Sequence, residues 1–187
     1  MIGPMGDDPP AADVLGMRTR LVAAAPGRFD DGRDLVAIGE ITLPARVAVW
    51  DPAEYALTRT VGAGGRVDAA CAGGRHEVVA LTGGRLELVA VLVRRSGAAV
   101  ARWSPLTVDF DEHAVVGPAD GAAVEYPGPD DADGRDPRSW VHLGDLGDGR
   151  SFVWVEDPSG AGRMHAAVGL DGEGGVAAIL VACVDRA

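Results

Sequence analysis

From residue 34 onward, short apolar runs alternate with Gly, Pro and Asp breaks, the pattern of strands separated by tight turns. Asp34–Leu43 and Ala45–Trp50 are candidate strands, broken by Pro44 and closed by Asp51-Pro52. The tripeptide Gly-Gly-Arg recurs at 64–66, 73–75 and 83–85. Each copy precedes a β-rich stretch: Val67–Cys71, His76–Leu81 and Leu86–Val93. Glycine supplies the positive φ of hairpin turns, so this spacing predicts a β-meander. Leu86–Val93 is apolar on both faces, as a central strand is; its Leu and Ala also permit a helix, and the Gly-rich flanks and short length favour the strand. Ala98–Trp103 would continue the meander after the Ser96-Gly97 turn. In the next segment, Leu106, Val108 and Phe110 alternate with Thr107 and Asp109, which predicts a strand with one wet face. Ser139–Leu143, Ser151–Glu156, Arg163–Gly169 and Val176–Val184 follow, the last two as a hairpin across Leu170–Gly175.

The N-terminal part has a different character. Residues 1–8 read as a flexible tail, and 9–187 as a single β-rich domain. Asp8-Pro9-Pro10 could open a short helix carrying Val14, Met17 and Leu21 at helical spacing, ended by Pro26-Gly27. A strand over Arg18–Ala23 is the alternative. The fold class expected is all-β, or β-dominated α+β: an antiparallel meander forming a sandwich or partly open barrel. Residues 117–138 form the one long irregular stretch, with the acidic run Asp130-Asp131-Ala132-Asp133-Gly134-Arg135-Asp136 inside it.

Charge narrows the function. The 187 residues carry a formal net charge of −11. That argues against nucleic acid and against an anionic membrane surface, and permits a basic protein partner. Lys, Asn and Gln are absent and all 17 basic residues are Arg, a bias expected of a GC-rich bacterial genome. It removes Schiff-base and P-loop lysines. Cys71 and Cys183 lie far apart without zinc-ligand spacing, so two buried thiols are expected over a disulfide. The N-terminus has no signal-peptide pattern and no apolar run is long enough for a membrane span, which points to the cytoplasm.

Known chemical motifs fail on particular residues. His76-Glu77-Val78-Val79-Ala80 lacks the second His of a zinc-protease helix. Gly62-Ala63-Gly64-Gly65-Arg66 lacks the Lys-Ser/Thr of a P-loop and reads as a turn. No Gly-x-Ser-x-Gly elbow occurs. The four histidines, His76, His113, His142 and His165, are dispersed. No catalytic residue, metal ligand or cofactor is assigned.

The stretch from Ile38 to Trp103 resembles a bacterial family of unknown function, number 4241. The carrying motifs are the strand ending in Asp-Pro (Val47–Pro52), the Thr-rich segment with a glycine turn (Thr58–Gly62) and the strand ending in Arg-Trp (Val100–Trp103). A Gly-Asp-Gly turn before a strand near the C-terminus fits Gly147–Gly149, and Gly160–Gly162 fits a similar turn. The family's Asp-Ala-Gly-Thr-Gly-Cys-Phe segment is missing. The resemblance implies a β-dominated fold and brings no activity.

Two functional expectations follow. The first is a non-catalytic, acidic protein-binding domain of immunity or accessory type. Its contact surface would comprise Asp130, Asp131, Asp133 and Asp136, with Trp140 as an aromatic anchor. The second is a metal-assisted hydrolase or small-ligand-binding β-domain, in which His142 or His165 would converge with Asp145 or Asp171.

Overall fold

A computed structural model describes residues 18–29, 32–67, 73–83, 88–108, 110, 112–120, 137–157 and 163–184. It is a sandwich of two antiparallel sheets, as the strand pattern predicts, and neither sheet closes into a barrel.

The larger sheet has seven strands in the order β1-β2-β4-β5-β11-β10-β6. These are β1 (Gly27–Arg28), β2 (Asp34–Leu43), β4 (Gly74–Thr82), β5 (Leu88–Arg94), β11 (Val176–Val184), β10 (Arg163–Leu170) and β6 (Arg102–Pro105). The smaller sheet has the order β3-β7-β9-β8, from β3 (Val47–Trp50), β7 (His113–Pro118), β9 (Ser151–Glu156) and β8 (Val141–Asp145). Their facing sides enclose the main core, where Val78, Val91, Val93 and Ile179 of one sheet meet Val49, Val116, Val153 and Val155 of the other. Phe110 and Met164 are fully buried there and form an isolated bridge.

Each sheet is also covered on its outer side. Residues 18–23 are helical (α1) and lay Leu21 and Val22 over Leu35, Leu81, Leu92 and Leu180. Burying aliphatic side chains of this size contributes about 1.5–3 kcal/mol each. On the smaller sheet, the helix α2 (Pro52–Thr58) brings Tyr55 to the cluster of Trp50, Phe152 and Trp154. The double-sided burial explains why β5 is apolar from Leu88 to Val93 and β11 along its whole length.

Several expectations are corrected. Asp51-Pro52 ends β3 and also starts α2, since the Asp51 carboxylate accepts the amide N–H groups of Ala53 and Glu54 and Pro52 opens the first turn. The first Gly-Gly-Arg is not a hairpin turn. Ala63–Gly65 is a 3-10 turn, and Gly65 packs where an added Cβ would lie 1.9 Å from the Val49 carbonyl oxygen. The second places Gly74 at φ 153° at the start of β4; most of the third, with Val67–Cys71 beyond its first residue, lies outside the described residues. The meander survives only as β4–β5, because β5 then pairs with β11 rather than with the next strand. The strand expected over Ala98–Trp103 is displaced to Arg102–Pro105. Leu106 and Val108 pack against the core from an irregular segment that touches β10 at single points, where the Leu106 N–H donates to the Ala166 carbonyl and Phe110 bridges Met164. The strand β7 was not anticipated. The tail 1–8 and the proposed helix start lie outside the described residues. No helix among the described residues is long and apolar enough to cross a membrane.

Candidate functional site

The acidic run with Asp130, Asp131, Asp133 and Asp136 lies outside the described residues; its two attachments do not. Strands β7 and β8 flank β9, each antiparallel to it, so they run parallel. The end of β7 and the start of β8, where the acidic connection is attached, therefore lie at opposite ends of the smaller sheet. At its start, Arg150 binds Asp120 at 2.8 Å and Asp148 at 2.7 Å. The Arg150 side chain holds the Asp148 carboxyl below its usual range. Asp145 accepts the Gly147 N–H at 2.7 Å, so this rim of the sheet is acidic and built from turn-stabilising carboxylates. At the other end, residues Pro137–Ser139 form a 3-10 turn leading into Trp140. Trp140 is half-buried against the inter-sheet core, and its carbonyl accepts the Glu156 N–H at 2.9 Å. Its ring closes the core beside the entrance of β8.

The histidines are separated by the two sheets. His142 sits on the outer face of the smaller sheet, across from Trp154, with Nε2 4.0 Å from Glu156 Oε1. His113 stands opposite Glu156 on the same face, its ring 5.7 Å from that of Trp154. His165 is exposed on β10 of the larger sheet. Asp171 is engaged elsewhere. Its carboxylate takes Arg95 Nη2 at 2.6 Å and the N–H groups of Glu173 and Gly175, and the arginine holds its pKa down. The structure thus does not bring His142, His165, Asp145 and Asp171 together. Among the described residues, no group of three or more His, Cys, Asp or Glu is placed to hold a metal ion.

One recess went unforeseen. A cleft of about 820 Å³ lies between the end of α1 and the outer face of the larger sheet. Small residues, Ala23–Ala25 and Ala98–Ala99, make its walls, and Val79 lies at its floor. Arg94 runs into it from the end of β5. Arg94 Nη1 donates to the carbonyls of Leu21, Val22 and Ala24 at 2.9, 3.2 and 2.6 Å, and Nε donates to Glu77 at 3.1 Å. A cation at a helix C-terminus offsets the negative end of its dipole and satisfies its orphan carbonyls. The sequence signal was a charge closing an apolar strand, which looks like any strand terminus until α1 is seen above it. Comparison with family models, with curated proteins and with solved structures finds no match to this chain.

Proposed function

We propose that this chain is a non-catalytic binding domain whose partner is a basic protein, in the manner of an immunity or accessory protein. The carrying observation is where the acidic connection is attached. In sequence, the stretch with four aspartates in seven positions lies between the Asp120–Arg150–Asp148 rim at one end of the smaller sheet and the Trp140 entrance at the other. An acidic surface borne by a rigid sandwich steers encounter with a cationic partner and fixes its orientation. The net charge of −11 acts in the same direction. The likeness to the bacterial family of unknown function adds no activity to this reading.

The test is co-purification from the cells of origin, comparing the wild-type chain with a D130N/D131N/D133N/D136N variant. A defined basic protein should bind at 1:1 stoichiometry to the wild type, weaken with salt, and be lost from the variant. Equal retention by both chains, or no partner at all, overturns the proposal.

A second reading, small-ligand binding, is favoured by the cleft beside Arg94. Its volume lies within the range of about 300–1,000 Å³ common for ligand sites. A thermal-shift screen compares it directly with the first reading, because cleft ligands should stabilise the aspartate variant as well as the wild type.

A further inference from the structure

A second, smaller recess of about 360 Å³ opens where the edge strand β6 of the larger sheet approaches the segment Ala63–Val67, which bridges to the edge strand β3 of the smaller one. Its lining differs in kind from the cleft under α1. Arg66 and Arg102 both face it, with Ser104 and Thr107 between them. Among the described residues, no carboxylate contributes to its lining. Both arginines are exposed, and among the described residues neither guanidinium forms an ion pair or hydrogen bond. Arg75, Arg94, Arg95 and Arg150, in contrast, each bind a carboxylate. In a chain with 28 acidic residues to 17 arginines, a recess whose described lining holds two guanidinium groups and no carboxylate is a local reversal of sign.

The backbone holds the recess in shape. Leu170 pairs with Arg102 and Val168 with Ser104, so both β6 residues are in register on an apolar floor. Two positions of the opposite segment, Gly64 and Gly65, have no room for a side chain. A Cβ at Gly64 would lie 2.4 Å from the Thr107 carbonyl oxygen, and one at Gly65 1.9 Å from that of Val49. The two glycines therefore fasten the Arg66 segment to both sheets at close range.

We propose that this recess binds the oxyanion of a small phosphorylated or carboxylated molecule, with Arg66 and Arg102 clamping it and the Ser104 and Thr107 hydroxyls donating to its oxygens. Guanidinium groups match the geometry of phosphate and carboxylate oxygens and pair with them two bonds at a time. The volume suits a small ligand, and Val168 and Leu170 offer its apolar part a surface. The overall charge repels anions, so weak unspecific association is disfavoured and saturable binding requires a local site.

The experiment is calorimetric titration of the full chain with inorganic phosphate, pyrophosphate and acetate at low ionic strength, repeated on R66Q and R102Q. One saturable site is expected, with each substitution weakening it about tenfold or more. The unliganded melting temperature should stay within about 2 °C of wild type, because both side chains are exposed and unpaired. The order of the three anions reports whether phosphate or carboxylate is preferred. Absence of saturable binding to the wild type for all three, or undiminished binding in either variant, overturns the proposal.

Discussion

Arg94 Nη1 lies 2.9 Å from the carbonyl oxygen of Leu21, joining the end of a central strand to a helix 73 positions earlier in the chain. The guanidinium is nearly fully buried and serves three carbonyls and one carboxylate at once. Replacing it strands those acceptors, so Arg94→Met should cost about 2–4 kcal/mol in urea unfolding. Arg94→Lys should recover little of the loss, because an ammonium cannot reproduce the fork. Stability within 0.5 kcal/mol of wild type in R94M, an error-sized change by the usual mutational spread, would remove Arg94 as the helix anchor.

Gly144 on β8 faces the ring of Phe152 on β9, and a Cβ there would lie 2.0 Å from its Cζ. Phe152 is buried beside Trp50, so the ring has little room to retreat. Gly144→Ala should destabilise by about 1–3 kcal/mol through overpacking. Gly172→Ala, in a turn with open space around it, should change stability by less than about 0.5 kcal/mol. Equal melting temperatures for the two variants would contradict the packing described.

His76 is buried in β4, with Nδ1 2.9 Å from the Gly74 carbonyl and Nε2 without a partner among the described residues. Burial lowers its pKa below the ordinary 6.5. In the window between the lowered value and 6.5 the unfolded chain binds more protons, so stability rises with pH there. The contribution is complete above pH 6.5 and falls away as the pH drops below it. Unfolding midpoints measured between pH 7.5 and 5 should decline for the wild type, and the decline should be shallower in His76→Leu.

Asp171 shows the opposite case. Arg95, and then the turn N–H groups, hold its pKa below the ordinary 3.8. Its carboxylate stabilises the fold above that value and ceases to do so as pH falls through the lowered one. Asp171→Asn should lower the melting temperature at pH 7 and lessen the loss of stability below pH 4, a bound placed at the ordinary carboxylate pKa. Parallel pH profiles for the two chains would show that the Arg95 contact carries no linkage.

How much was legible depended on how local the signal was. β2, β9 and the β10–β11 hairpin were readable because alternation, apolar runs and the Asp171–Gly175 turn act within a few residues. α2 was also encoded locally, by Asp51 as cap and Pro52 in the first turn, but Asp-Pro closing a strand is equally a turn signal. β7 was missed because its end at Gly117-Pro118 blends into the long irregular stretch, and only pairing with β3 and β9 makes His113–Pro118 a strand. The aspartates of the proposed contact were found by charge alone. The arginines of both recesses were not, since nothing distinguishes one arginine from another before folding.

The amino-acid sequence alone determined a β-dominated chain of net negative charge, and left a helix and a strand open over Arg18–Ala23, because hydrophobic period, turn residues and net charge are properties of neighbouring residues or of simple sums. Only the tertiary structure decided that the strands form two sheets, since that choice rests on β5 pairing with β11 and β3 leaving for β7. It likewise decided that Arg94 caps a helix while Arg66 and Arg102 line one recess. Those assignments depend on contacts between distant segments, whose energy is gained only after the chain has closed the loops between them.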